Sequence, residues 1–438
     1  MTGKIKLLTL TGIAAALVAA PSSADLQREA QKSLRQAADY IVTNTLKSGS
    51  VSTYRRGRVL LHAYRVTNDE FYLDGALKAA RLLVWMQRDN GGWSEEASIN
   101  GFNPDAVSSH RPSHGINDGK RSKASTLDGP RTQGALSFLM ELDQDVNEDW
   151  LSLAIERGLD FMLEAQFDNG AWPQQYPLTG GISDLYTFND LTIPYCITVL
   201  LKAHRQYGKQ EYREALERAF EFLKKSQGDP PGWAQQYSHD MKPAWARGME
   251  PPGICSAVTG NVIRTLVDIY IYTGDDNYLS PVPPAIDWLE RSRLDNGKWA
   301  RLYEVGTNRP VYGDRKDPNK KHYDYDGLSK DERSSYSWQS EYGINEVISY
   351  YKKVKSAGLE TSREMVQKDD FWLEVPPSDK SLRRGLDLPV QEDKVQTIIR
   401  TQKENGSWGD KKGWGGMKTR GRNMYALCDY LKRTRNAE

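Results

Sequence analysis

The chain predicts an all-α fold: an (α/α) toroid, or barrel, of repeated helical hairpins with long functional loops. Two observations carry this. First, the tail of a helix, then Gln, an Asp or Asn, Gly and Trp recurs as Gln87–Trp93, Gln166–Trp172, Gln227–Trp233 and Gln402–Trp408, with a shorter copy at Leu294–Trp299. The tryptophans are 79, 61, 66 and 109 residues apart, room for two helices per interval, and a unit recurring at such periods signals a repeat architecture. Second, apolar residues fall at three- and four-residue steps between the copies. A single hairpin cannot bury its apolar face, so the units must stack or close into a ring. The Gly-Trp loops then gather at one end, around a concave mouth.

The elements follow in chain order. Lys4 and Lys6 precede an apolar run from Leu7 to Ala20, and Pro21-Ser-Ser-Ala24 puts small residues at the −3 and −1 positions before Asp25. Residues 1–24 therefore read as a bacterial-style secretory signal peptide, and the protein is expected to be secreted or periplasmic. No segment reaches the ~20 apolar residues of a spanning helix, so no membrane partner is expected. Helices are expected over 55–64, 72–87, 131–142, 150–164, 191–207 and 212–225, several ending near Gln with Gly soon after. Thr187 and Asp190 fit an N-terminal helix signal before Leu191. Stretches 94–125, 228–252 and 305–333 are too long for turns and are rich in polar and aromatic residues, as functional loops are. The toroid is expected over 25–356. A polar, proline-interrupted linker and a C-terminal helical extension packed on the toroid make up 357–438.

Composition narrows the function. The 59 basic and 58 acidic residues exert no global pull on nucleic acid, so a charged ligand must meet a local cluster. Twelve Trp and 23 Tyr in a chain of mean hydropathy −0.68 suit sugar-stacking surfaces as well as core. The Gly-Trp tryptophans read as structural plugs before sugar platforms. Cys196, Cys255 and Cys428 show no metal spacing and read as buried apolar fillers or as one bridge with a leftover thiol. The six histidines show no paired ligand spacing for zinc. A monomer is expected.

The loops carry the chemistry: Ala171-Trp-Pro-Gln-Gln-Tyr176, Tyr186-Thr-Phe-Asn-Asp190, Gly232-Trp-Ala-Gln-Gln-Tyr237, Lys242-Pro-Ala-Trp-Ala-Arg247, Tyr312-Gly-Asp-Arg315 and Asp331-Glu-Arg-Ser-Ser-Tyr336. Over about residues 30–350 these segments together resemble the family 10 polysaccharide lyases, secreted pectate lyases with an (α/α) toroid fold. The resemblance implies calcium-assisted β-elimination of de-esterified polygalacturonate, giving 4,5-unsaturated oligogalacturonates. It implies that Arg247 is the catalytic base removing the C5 proton, that Asp128 and Asp190 serve Ca²⁺, and that Arg315 and Arg333 bind substrate. The chain departs from the family at Gly129, where Asn is usual, at Leu191, and in an insertion from Asp317 to Lys320.

Elementary chemistry agrees. Removing the C5 proton puts negative charge on the adjacent uronate carboxylate, which a hard cation and bidentate arginines stabilise. Two aspartates fall short of the 6–8 oxygens of a calcium shell, so water and substrate must complete it. Arginine is a poor base at neutral pH, and crowding by Ca²⁺ and other arginines is expected to lower its pKa. Other readings stand beside this one. Asp190 could cap a helix, Asp128 could be a turn residue, and each arginine could be solvated or ion-paired. A glycoside hydrolase on the same toroid would need two carboxylates from a set such as Glu250, Asp240 and Asp314. A non-catalytic sugar-binding protein would share the aromatics. The Gln-x-x-x-Gly-x-Trp pattern also occurs in triterpene cyclases, whose Asp-rich initiating motif this chain lacks.

Overall fold

The computed structural model describes residues 22–46, 50–95, 102–103, 124–367, 391–409 and 414–435. Residues 1–21 of the expected signal peptide, most of the 94–125 loop and the centre of the 357–391 linker lie outside these residues; the last two residues of that peptide, Ser23 and Ala24, open the first helix.

Helices dominate, as the periodicity predicts. α1 (Ser23–Tyr40) precedes the hairpins α2 (Thr53–Thr67) with α3 (Glu70–Met86), α4 (Thr132–Leu142) with α5 (Asp149–Glu164), α6 (Thr192–Tyr207) with α7 (Gln210–Ser226), and α8 (Ser256–Thr273) with α9 (Val282–Arg291). A short α10 (Lys330–Ser335) leads to the pair α11 (Ile344–Ala357) and α12 (Leu359–Gln367), and α13 (Glu392–Arg400) and α14 (Trp414–Arg435) follow. The first helix of each hairpin packs on the first helix of the next, in the row α2, α4, α6, α8, α11, and α14 packs against α2 at the other end of that row. Inner and outer helices differ in sequence for that reason. Every residue of α4 but Glu141 is buried, whereas α7 buries one stripe from Tyr212 to Ser226. The architecture is an (α/α) toroid.

The repeated motif builds the ring. Each motif tryptophan donates its indole N–H to the carbonyl ten residues earlier: Trp93 to Leu83, Trp172 to Met162, Trp233 to Leu223, Trp299 to Leu289 and Trp408 to Ile398, at 2.6–2.9 Å. All five are buried, so they are plugs rather than exposed platforms. The motif glutamine staples one hairpin to the next outer helix. Gln87 Nε2 donates to Gly91 O and Ala154 O, and Gln166 Nε2 to Gly170 O and Ala215 O. Gly91 and Gly170 adopt φ of +87° and +92°, and a Cβ on either would lie 2.0 Å from a carbonyl of that next helix; only glycine fits. The last copy makes the same staple to the first helix. Gln402 Nε2 donates to Ser33 O in α1, Ser33 Oγ donates back to Gln402 Oε1, and Gly406 sits against Gln36 O.

Strands are short and tie the loops together. β1 (Ser125–Thr126) pairs with β2 (Gln175–Tyr176), β3 (Tyr186–Thr187) with β4 (Gln236–Tyr237), and β6 (Trp299–Ala300) with β10 (Gln339–Ser340), all antiparallel. β5 (Ile254–Cys255), β7 (Leu302–Tyr303), β8 (Pro310–Asp314) and β9 (Asp317–His322) form a four-stranded sheet in that order. The 305–333 stretch is thus a hairpin followed by a helical turn. Its second strand, Asp-Pro-Asn-Lys-Lys-His, gives no apolar alternation to signal a strand. Cys196, Cys255 and Cys428 are buried and unpaired, and no helix among the described residues is long and apolar enough to cross a membrane.

One ion triad locks three inner helices. Glu141 of α4 accepts from Arg58 of α2 at 2.8 Å and from Lys202 of α6 at 2.6 Å. Burial alone would raise the Glu141 carboxyl, but the two cations outweigh it and hold it well below the usual carboxylate range. Breaking such a pair leaves buried charge uncompensated. Glu141→Gln should therefore cost about 3–5 kcal/mol in denaturant unfolding at pH 7. Because the native carboxyl sits below its ordinary value of 4.5, the triad's contribution is complete above that pH and is lost as the pH falls further. The gap between wild type and variant should narrow in acid.

Candidate active site

The mouth is assembled from one offset of the repeat, two residues beyond each of the first four plug tryptophans. These positions hold Glu95, Gln174, Gln235 and Arg301. The backbone fixes three of them in the same way. Leu127 N donates to Gln174 O, Phe188 N to Gln235 O and Ser256 N to Arg301 O, while Thr126, Thr187 and Cys255 donate to the preceding plug's carbonyl on Trp93, Trp172 and Trp233. Each strand entering an inner helix is thus bracketed between two successive plugs. The side chains then reach each other: Gln174 Nε2 donates to Asp128 Oδ1 at 3.1 Å, and Arg301 Nε donates to Gln235 Oε1 at 3.2 Å.

Asp128 lies in the turn between β1 and α4. Its N–H donates to Thr126 Oγ1, and its Oδ2 accepts from Arg131 Nη1 at 3.2 Å. Arg131 also pairs with Glu95 at 3.4 Å. Gly129 follows with φ +59°, a left-handed conformation that Asn tolerates too, so Gly in place of the family's Asn keeps the turn. Asp128 is more than a turn residue, because both carboxyl oxygens accept from side chains of other positions.

Asp190 does not cap a helix. α6 starts at Thr192 with Leu191 at its N-cap and no side-chain cap. Asp190 and Leu191 adopt φ of +47° and +66°, consecutive left-handed residues that cost on the order of 1–3 kcal/mol each. Thr187 Oγ1 accepts from Asn189 N instead, which closes this turn. The tight turn sets the Asp190 carboxyl against that of Asp128. Burial first, then the Asp128 charge and the hydrogen bond between the two carboxyls, push Asp190 upward against the pull of Arg247 and Arg301.

Arg247 is gripped by a buried partner. Its Nε donates to Glu250 Oε2 at 2.9 Å; the arginine side chain is 54% exposed and that of Glu250 only 1%. Burial alone would lower the guanidinium, but Glu250 first, then Tyr336 and Asp190, raise it above its ordinary value. The nearest charge is a carboxylate, which favours the protonated form.

Arg301 is the residue that motif reading missed. Its guanidinium lies 4.9 Å from the Tyr336 ring centroid and acts on Asp190. Its position two residues after Trp299, matching Gln174 and Gln235, was the available signal. Arg315 lies 5.6 Å from the same ring centroid, with Nη1 on both Glu332 oxygens at 2.9–3.0 Å. Arg333 is turned elsewhere: it pairs with Asp326 at 3.1 Å and lies over Tyr325. The structure thus joins Asp128, Asp190, Arg247 and Arg301, sets Arg315 at their margin, and directs Arg333 to a separate pair.

Among the described residues no three His, Cys, Asp or Glu side chains form a group able to hold a metal. The Asp128–Asp190 pair matches a hard cation in charge and donor type while leaving most of its shell open. The rival carboxylates have structural work. Asp314 accepts from Lys316 N and Ser329 N, Asp240 is paired with Lys242 at the surface, and Glu250 is committed to Arg247.

A family model described as pectic acid lyase matches residues 100–209 and 294–348, which include Asp128, Asp190, Arg301, Arg315 and Arg333 but not Arg247. Among solved structures, a family 10 polysaccharide lyase from Cellvibrio cellulosa is similar with a TM-score of 0.53 at 22% identity, covering 67% of this chain and 95% of that one. A mutant of that lyase in complex with trigalacturonic acid matches at the same score and identity, covering 70% and 98%. At that identity the likeness shows the fold. No curated protein matches the sequence.

The carboxyl pair makes stability depend on pH. A carboxyl raised in the native state contributes stability that is complete below its ordinary value of 3.8 and is lost as the pH rises through its native value. In chelator, the melting temperature of wild type should fall over that window more steeply than that of Asp128→Asn, in which the neighbouring charge is gone. Parallel curves would show that the two carboxyls do not interact.

Proposed function

We propose, from the premise that this chain is like the family 10 polysaccharide lyases, that it is an exported pectate lyase cleaving de-esterified polygalacturonate by β-elimination. The observation that carries this is the meeting of two carboxylates, Asp128 and Asp190, with the guanidiniums of Arg247 and Arg301 in one mouth. A polyuronate presents a carboxylate beside every acidic C5–H, and this mouth offers both a cation site and bidentate donors for such a group.

Asp128 and Asp190 would hold Ca²⁺, with water and substrate oxygens completing its shell. When bound, the ion neutralises charge developing on the uronate carboxylate. Arg301 and Arg315 would orient that carboxylate, and Arg333 would bind farther along the chain, beside Tyr325. Arg247, as the base, takes the C5 proton through a terminal nitrogen, since Glu250 occupies its Nε. The C5–H electron pair becomes the C4–C5 double bond, and the C4–O bond breaks with its pair leaving on oxygen, which takes a proton from solvent. The product carries an unsaturated uronate that absorbs in the ultraviolet. Residues 1–24 would direct export, 25–356 would form the catalytic toroid, and 357–438 would pack on it through α13 and α14. A monomer would suffice.

Polygalacturonate should yield the ultraviolet chromophore, and chelator should abolish it. Asp190→Ala should lose most activity while keeping the wild-type circular dichroism, and highly methyl-esterified pectin should be the poorer substrate. Hydrolysis without the chromophore would overturn the lyase reading, whereas full activity in excess chelator would overturn the calcium assignment alone. Arg247→Lys and Arg247→Ala should each lower kcat by about 10²–10⁴, the usual cost of removing a general base, because an ammonium does not reproduce the guanidinium fork. Wild-type kcat should rise into alkaline pH as more guanidinium becomes neutral. A raised KM with unchanged kcat would make Arg247 a binding residue.

A further inference from the structure

We propose that Arg131 is an internal counter-ion of Asp128 that a divalent cation must displace, handing the guanidinium over to Glu95 as the ion enters. The inference rests on the reading of Asp128 and Asp190 as the cation site, and it is independent of which group takes the proton. Both oxygens of Asp128 are engaged: Oδ1 accepts from Gln174 Nε2 at 3.1 Å and Oδ2 from Arg131 Nη1 at 3.2 Å. The same Nη1 donates to Asp128 O at 2.5 Å, while Nη2 pairs with Glu95 at 3.4 Å. One guanidinium thus spans two carboxylates, an inner one that is 30% exposed and an outer one that is 70% exposed.

The turn before α4 is shaped for this grip. Arg131 stands at the N-cap of α4, three residues after Asp128, and its side chain folds back over the turn. Gly129 makes the room. A Cβ there would lie 3.3 Å from Arg131 Nη1, so an Asn side chain at this position would crowd the guanidinium. The glycine that stands where the family usually has Asn therefore lets the arginine reach Asp128. Glu95 is fixed as well. Its carbonyl accepts from Val51 N at 3.0 Å, the same bond that the carbonyls of Gln174 and Gln235 make to Leu127 and Phe188.

A guanidinium and a hard divalent cation compete for the same Asp128 oxygen. Both are positive, and at a few ångströms their repulsion outweighs what one shared carboxylate returns. The ion therefore has to dislodge Arg131 before it can take Asp128 and Asp190 together. Glu95 keeps the cost of that step low, because it already touches Nη2 and the guanidinium needs only to turn outward. Until the ion enters, Arg131 offsets the Asp128 charge that acts on Asp190. The same arginine thus steadies the carboxyl pair and weakens its hold on a cation.

Calcium titrated into chelator-stripped protein without substrate, followed by calorimetry and by melting temperature, tests this. Arg131→Gln keeps a donor but removes the charge, so calcium should bind about 10-fold tighter. In chelator the same variant should melt below wild type, since the two carboxyls then face each other uncompensated. Glu95→Gln should weaken calcium binding by about 3-fold, the scale of one exposed ion pair, because Arg131 is left with Asp128 alone. In the double variant the Glu95 change should have no further effect, since its influence passes through Arg131. If Arg131→Gln does not fold, Glu95→Gln decides the matter in about 0.5 M salt, where the loss of a merely distant charge is screened. A weakening that persists there supports the exchange, and one that vanishes overturns it. Calcium binding in Arg131→Gln no tighter than in wild type, or additive effects in the double variant, also overturns the proposal. Calcium that binds neither wild type nor Arg131→Gln fails the cation site itself, a result distinct from any pattern among the variants.

Discussion

The fold depends on one side-chain pairing: a buried glutamine amide that bonds its own loop and the backbone of the next outer helix at once. In Gln87, Gln166 and Gln402 a single Nε2 donates to both carbonyls. A buried amide left unpaired would cost the full desolvation of that group, so each motif loop is stable only with its neighbour in place. The tryptophan indole bonded ten residues back fixes the loop on its own helix, and the glycine lets the two backbones touch. Four residue types in fixed order thereby turn a string of hairpins into a ring.

That ring explains why function gathers where it does. Residues two positions beyond the plugs are bracketed by backbone hydrogen bonds on both sides, which makes them rigid, and they are polar because they face the mouth. Gln174 and Gln235 serve there as holders of Asp128 and Arg301. The strained turn at Asp190 and Leu191 persists within this frame and sets two carboxyls together at an energetic cost that a bound cation would relieve. Function and local strain coincide, as is usual where packing over-determines a conformation.

Arginine chemistry at this mouth is governed by what lies behind each guanidinium. Arg247 rests on buried Glu250, Arg315 on buried Glu332, and Arg301 on the neutral Gln235 amide and the Tyr336 ring. The carboxylate behind Arg247 raises its guanidinium above the ordinary value. Arg301 is held without a neutralising partner of its own, which leaves its charge available to an anionic ligand.

The sequence by itself determined the all-helical class, the hairpin unit, the helix limits of the first three hairpins to within a few residues, and four of the residues that the structure brings to the mouth or its margin: Asp128, Asp190, Arg247 and Arg315. It could do so because helical period, glycine punctuation and ordered loop motifs are local signals. What only the tertiary structure decided were relations between distant segments. The periodicity of 392–435 is as helical as the rest, but only packing reveals that Gln402 bonds Ser33 and that α14 lies beside α2. The β8–β9 hairpin hid in a lysine-rich stretch without alternation. Asp190 reads as a helix cap until two left-handed residues turn it toward Asp128. Arg333 sits one residue from Glu332, yet it points to Asp326, because successive residues of a helical turn face different directions. Glu250 read as a rival catalytic acid, and Arg301 went unnoticed. Both acquire meaning from what lies across the mouth, since a charge is defined by its surroundings and those are fixed only when the chain closes.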